Sequence, residues 1–270
     1  MRMNPLIALF TDFGTRDAYV AQMKGAILSI CPHAHLVDLN HEVRQFDVRG
    51  AAYVLAASAA FFPARTIVVA VVDPGVGSAR RPVMLQTASD KWFVGPDNGL
   101  LTHVMRREGF QRAAVLDRPA YYRGQDVSAT FHGRDMFGPI AAHLAAGVDP
   151  EQLGSATDEL ITLPVAPPRQ VGQALMGEVQ HIDHFGNVVT NLTPAWLNAW
   201  PSQRQVFCVH RGQTHAVQWV NTYAEGESEA LLGLFNSDQY FEFAVARGSA
   251  HAVLQAAVGD AIELRPTLDV

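Results

Sequence analysis

The chain opens with short, uninterrupted apolar runs set between segments whose apolar residues recur every three or four positions. LIALFTD (6–12) is apolar through Phe10 without alternation, the pattern of a strand buried on both faces. From Asp17 to Ile30, Tyr19, Met23, Ile27 and Ile30 fall on one side of a helix. AHLVDLN (34–40) predicts a second strand, and DVRGAAYVLAASAAFF (47–62) a second helix that stops before Pro63. TIVVAVVD (66–73) is the most strand-like run, VMLQT (83–87) and WFVG (92–95) pattern as a hairpin, and a helix is expected from Asn98 to Arg107. AAVLD (113–117) adds a strand and Asp135 to Ala146 a helix. This alternation predicts an α/β domain built on a doubly wound, mostly parallel sheet.

The pattern changes near residue 160. LPVAPPRQ carries three prolines and reads as a connection, which divides the chain into 1–163, a linker over 164–170, and 171–270. Beyond it lie GQALMGEVQHID, NVVTNL, QVFCVH, HAVQWV, EALLGLF, YFEFAVA and DAIELRP, with PAWLNAW (194–200) as a short helix between them. Short strands at this spacing predict a small antiparallel barrel or sandwich.

Composition narrows the possible functions. With 49% apolar and 17% charged residues the chain is globular, and its net charge of −6, without a basic segment, argues against a nucleic-acid partner. The densest charge cluster, Arg106-Arg107-Glu108, is expected at a solvated helix end. Two distant cysteines, Cys31 and Cys208, argue against a disulfide framework and suit a reducing cytoplasm. The apolar run before Asp12 is too short for a signal peptide, and no run reaches the length of a membrane span.

Candidate chemistry gathers at the predicted strand ends, where open α/β sheets bind ligands. The clusters are Asp12-Phe13-Gly14-Thr15-Arg16-Asp17, Asp73 to Arg81, and Pro96-Asp97-Asn98-Gly99; a fourth, Thr130-Phe131-His132-Gly133-Arg134-Asp135, precedes a helix. Gly75-Val76-Gly77 leads to Pro82 rather than into a helix and lacks a Gly-Lys-Ser/Thr ending, so it is no phosphate cradle. An acid at the strand end suits hydroxyls or positive charge instead. Asp12, Asp73, Asp97, His132 and Asp135 could alternatively ligate metal, but the sequence has no H-x-x-x-H or C-x-x-C spacing and Arg80 and Arg134 would adjoin the cation.

TDFGTRDAYVAQMKG, VVDPGVGSARR, GPDNGLL, TFHGRDMF, HIDHFGNVVTN and FNSDQYFEFAVARGSA together resemble, in order and over residues 6–265, the S-adenosyl-L-methionine (SAM) hydrolases that form adenosine. These are also called SAM hydroxide adenosyltransferases and are related to fluorinase and chlorinase. The resemblance implies an N-terminal α/β domain and a C-terminal antiparallel β-barrel. It also implies a homotrimer binding SAM between one subunit's first domain and a neighbour's second, and hydrolysis to adenosine and L-methionine without a further cofactor or a metal. Asp73, Arg80 and His132 match the three residues around the attacking water. Asp12 matches the acid gripping both ribose hydroxyls, Asp17 and Asp183 acids near the methionine ammonium, and Ser237 a serine at the methionine end. Asn187 matches the asparagine that reads adenine, while Phe46 and Tyr223 match aromatics against the ligand.

Two departures separate this sequence from the halogenating relatives. They carry a tyrosine-type residue where Asp73 stands and a long loop where only Ser89-Asp90-Lys91 is found. A carboxylate beside the nucleophile repels halide, so both differences favour hydroxide. Asp238 stands where the fluorinase has an arginine able to meet the methionine carboxylate. A metal-dependent hydrolase and a non-catalytic SAM or adenosine binder are the competing readings.

Overall fold

A computed structural model describes residues 4–197, 200 and 205–266. The chain separates into two compact units, 1–163 and 164–270. In the first, β1 (Leu6–Thr11), β2 (His35–Asn40), β3 (Ile67–Val71), β4 (Pro82–Thr87), β5 (Trp92–Pro96), β6 (Phe110–Val115) and β7 (Ser155–Thr157) form one sheet in the order β2-β1-β3-β5-β4-β6-β7. The β2-β1-β3-β5 core is parallel, and β4, β6 and β7 extend it antiparallel.

Helices cover both faces of this sheet, which is why its central strands carry no polar alternation. Ile7 and Leu9 of β1 pack with Met23 and Ile27 of α1 (Tyr19–Ile30) and Ile140 of α4 (Gly138–Ala145). Ala8 and Phe10 face the other way, against Leu55 of α2 (Val48–Ala59) and Val104 of α3 (Thr102–Glu108). Each such aliphatic or aromatic side chain contributes about 1.5–3 kcal/mol on full burial. Asp47 caps α2 by accepting from the Gly50 amide at 2.9 Å.

Three helix boundaries differ from the pattern-based expectation. α1 starts at Tyr19, and its N-cap is Ala18 rather than Asp17. α3 starts at Thr102, because Asn98 to Leu101 are spent on a turn. The helix expected from Asp135 is a π-helical turn, Gly133–Phe137, followed by α4. Pro139 has no amide to give the Asp135 carbonyl four residues back, and that carbonyl takes the Arg123 amide instead, at 2.9 Å. Arg106 and Arg107 are exposed, but the Glu108 carboxylate is buried and accepts from Lys91 Nζ at 2.7 Å, so the third member of that charge cluster is not solvated.

In the second unit β8 (Arg169–Val171), β9 (Ala174–Ile182), β10 (Val188–Thr190), β11 (Gln205–His210), β12 (Gln213–Trp219), β13 (Leu231–Phe235), β14 (Phe241–Val245) and β15 (Ala261–Arg265) form a sheet in the order β10-β14-β13-β12-β11-β15-β9-β8. Pairing of β10 with β9 closes seven of these strands into a barrel, with β8 as an extra strand on β9. Residues 169 and 170, in the stretch read as a linker, thus belong to the sheet. One pairing, β12 with β13, is parallel, and the crossover between them carries a 3₁₀ turn at Tyr223–Glu225. Leu175, Val179, Val217, Phe241, Phe243 and Ile262 fill the barrel. The short helix after β10 spans Pro194–Leu197; 198–199 lie outside the described residues.

Cys31 and Cys208 are both buried free thiols, one in each unit, and burial raises both pKa values, that of Cys208 to about 12. Among the described residues no helix is long and apolar enough to cross a membrane.

Candidate active site

The central strand β3 delivers Asp73 two residues beyond its end, and a turn over Pro74–Gly77 reverses the chain so that Arg80 returns to meet it. Arg80 Nε donates to both Asp73 oxygens at 2.9 Å, and Nη2 makes a further short bond to Oδ2. The pair is secluded, with side chains 9% and 5% exposed, so its mutual orientation is fixed. Gly77 has φ +76°, and a Cβ there would lie 2.5 Å from the Ala129 carbonyl oxygen. Only glycine lets this loop press against the segment that carries His132.

Arg80 Nη2 also lies 2.7 Å from His132 Nδ1. A guanidinium can only donate, so the imidazole accepts through Nδ1 and the neutral ring carries its proton on Nε2. Burial, then the charge of Arg80, lowers the His132 pKa below its ordinary value, against the opposing pull of Asp73 and Asp135. The ring is therefore neutral at pH 7. Phe137, on the π-helical turn, packs edge-on to His132 and lies under the Arg80 guanidinium at 5.1 Å.

Asp135 anchors the His132 segment. It accepts from Ser128 N at 3.0 Å and from Arg134 Nε and Nη2 at 2.7 and 2.8 Å, and these bonds hold its pKa low despite burial. Phe131 packs edge-on to both Phe13 and Tyr19, which ties this segment to the loop after β1. On that loop Asp12 Oδ2 accepts from the Phe46 amide at 2.9 Å. Phe46 has φ +64° and is 69% exposed, an aromatic held out on a strained backbone. Asp17 is exposed just before α1.

The Asp97 cluster is differently committed. Asn98 Nδ2 donates to the Val72 carbonyl at 2.9 Å, bracing the chain just before Asp73. Asp97 accepts from Arg81 Nε at 3.0 Å and from the Ile161 amide at 2.7 Å. Asp73, Asp97 and Asp135 thus each face a guanidinium, a poor arrangement for ligating a cation. Among the described residues no three His, Cys, Asp or Glu side chains gather as a metal site.

The second unit groups its own candidates. In the β9–β10 hairpin, Asp183 Oδ1 accepts from the Phe185 and Asn187 amides at 2.9 and 2.8 Å, and Oδ2 accepts from Asn187 Nδ2 at 2.9 Å. The amide oxygen of Asn187 is thereby aimed by Asp183. Tyr223 donates its hydroxyl to Glu242, a buried acid that the sequence reading did not single out. Burial, followed by this bond to a carboxylate, raises the Tyr223 pKa. Ser237 is exposed in the β13–β14 turn, whose neighbours Asp238 and Tyr240 donate their amides to Asn236 Oδ1 at 3.0 and 3.1 Å.

Residues 7–154 match the SAM hydroxide adenosyltransferase N-terminal domain and 177–263 the C-terminal domain of the same family. A relative from Salinispora arenicola named (R)-S-adenosyl-L-methionine hydrolase is 38% identical, over 98% of this chain and 99% of its own. One of the same name from Thermus thermophilus is 37% identical, over 97% and 100%. A fluorinase from Actinoplanes sp. is 34% identical, over 70% and 72%. The crystal structure of an uncharacterized conserved protein from Thermotoga maritima superposes with a TM-score of 0.90 at 33% identity, covering 96% of this chain and 99% of that one.

Proposed function

We propose that this chain, which belongs to the SAM hydroxide adenosyltransferase family, hydrolyses S-adenosyl-L-methionine to adenosine and L-methionine by in-line attack of an activated water, as hydroxide, on ribose C5′. The C5′–O bond forms as the C5′–S bond breaks, and the bonding pair leaves on sulfur as a neutral thioether. No general acid is needed. The proton lost from water goes to solvent.

The observation that carries this reading is the Asp73–Arg80–His132 chain of hydrogen bonds. Arg80 supplies a fixed positive charge that favours hydroxide over water, and Asp73 locks its orientation. Because Arg80 occupies Nδ1, His132 offers the nucleophile an N–H donor from Nε2. It orients the oxygen rather than taking its proton. The Asp73 carboxylate also disfavours a halide nucleophile.

In the same reading Asp12 holds the ribose hydroxyls through the oxygen not engaged by Phe46. Asp17 and Asp183 face the methionine ammonium, Asn187 reads adenine, Phe46 and Tyr223 flank the ligand, and Ser237 meets the methionine end. The catalyst is a cytoplasmic homotrimer with its site at the subunit interface, and it needs neither metal nor cofactor.

Incubation with SAM in heavy-oxygen water tests this directly. Adenosine and methionine should appear in equal amounts, with label in the adenosine 5′-hydroxyl, in the presence of chelator. The rate should rise from pH 7 to 9, and His132→Ala should lower it while leaving that rise in place. Abolition by chelator with recovery on adding a divalent metal would install the metal-hydrolase reading. SAM binding without product would leave a binding protein. Light scattering checks the trimer.

A further inference from the structure

Glu242 lies on the outer wall of the barrel. Its neighbours Phe241 and Phe243 fill the interior, so strand alternation turns Glu242 outward, yet it is only 3% exposed. A carboxylate at that depth requires partners. It accepts from the Tyr223 hydroxyl and from the Asn236 side chain, while burial and the nearby negative charge of Asp183 raise its pKa.

The sheet register gives this position its meaning. Glu242 stands opposite Val189 of β10 on one side and Leu234 of β13 on the other. Val189 is two residues beyond Asn187, and Leu234 is three residues before Ser237. One buried side chain thus spans the interval between the hairpin bearing Asp183 and Asn187 and the turn bearing Ser237. Its hydrogen bonds reach Tyr223 and the residue next to Ser237.

We propose that Glu242 is a positioning residue for substrate recognition, holding the Tyr223 ring and the Asn236–Ser237 turn in the arrangement that receives the two ends of SAM. This rests on the reading of Tyr223, Asn187 and Ser237 as ligand contacts. Tyr223 is 49% exposed, so its ring has a free face while its hydroxyl is tethered by a charge-assisted bond. A ring fixed in this way loses little rotational freedom when a ligand packs on it.

Tyr223→Phe keeps the ring and removes the tether, and Glu242→Leu removes the acceptor. Loss of a hydrogen bond to a charged group predicts that each raises the KM for SAM and the Kd for adenosine about tenfold, with a smaller change in kcat. Because Glu242→Leu already removes the bond that Tyr223→Phe removes, the double variant should be no worse than the poorer single variant. Glu242→Gln, whose amide oxygen still accepts, should return to within about threefold of the parent. A double variant with multiplied losses, or variants with a lowered melting temperature and unchanged KM and Kd, overturns the proposal. Tyr223→Phe, at a half-exposed site, carries the test if Glu242→Leu does not fold. A parent protein that binds adenosine but releases none from SAM overturns the hydrolase reading alone, since the Kd series still decides the role of Glu242. A parent that neither binds nor turns over overturns both.

Discussion

Arg80 and Arg81 are consecutive, and each pairs with an acid at the end of a central strand, but the two pairs end differently. Arg81 and Asp97 close entirely on backbone: Arg81 Nη2 donates to the Glu159 carbonyl at 2.7 Å, and Asp97 accepts from the Ile161 amide and donates its own amide to the Arg81 carbonyl at 2.9 Å. Arg80 and Asp73 instead continue to a titratable ring, His132, at 2.7 Å. The first pair fastens the 159–161 segment to the sheet. The second places a cation and a neutral imidazole side by side just beyond a strand end. The same chemistry, shifted by one residue, serves as a clamp in one case and as a candidate reaction centre in the other, and the third partner makes the difference.

The largest effect expected is on turnover. Arg80→Ala should lower kcat/KM by about a hundredfold or more, the cost of removing one preorganised donor, and Arg80→Lys should fall nearly as far because an ammonium lacks the rigid planar fork that grips both Asp73 oxygens while reaching the ring. Arg81→Ala should stay within about threefold of the parent in the same adenosine-release assay, since its partners are Asp97 and the Glu159 carbonyl and not His132. Equal losses for Arg80 and Arg81 would erase the distinction.

The next effect is on stability and runs the other way. Asp97→Ala strips Arg81 and the Ile161 amide of their acceptor. It should cost about 3 kcal/mol in denaturant unfolding, at the low end for a broken buried pair because Arg81 is 40% exposed. Little change in the midpoint would show that the clamp is ornamental.

The smallest effect sharpens the His132 end. Its folded-state pKa is depressed, so the unfolded chain takes the proton first as pH falls. The stabilisation is therefore full above the unfolded value of about 6.5 and is lost as pH drops through the folded value. Parent protein should lose more thermal stability between pH 7.5 and 5 than His132→Gln. An identical loss would mean that the ring titrates normally.

Much of the architecture was legible because burial on both faces writes unbroken apolar strands, and packing on one face writes helical spacing. The runs quoted for β1, β3 and β11 lie within one or two residues of the observed strands. What escaped depends on distant partners. The π-helical turn follows from Pro139 together with Arg123, and β7 and β8, three residues each, are too short to carry a period. The four polar clusters could be placed at strand ends, but the meeting of Arg80 with His132 joins residues 52 apart and has no local signature. Glu242 reads as an ordinary outward polar residue of an alternating strand. The overlooked signal is that Leu232, Leu234 and Ala244, also outward, are apolar and buried, so this part of the outer wall does not face water.

The two sealed thiols have a practical consequence. A cysteine reacts as thiolate, and neither Cys31 nor Cys208 presents one to solvent while its surroundings are intact. Each therefore acts as a silent alarm wired to one unit. Timed alkylation in mild denaturant, read by peptide mass, would register the opening of the α/β unit at Cys31 and of the barrel at Cys208 as separate clocks, without an introduced label. Matching rates would show that the two units unfold as one, and divergent rates would name the weaker.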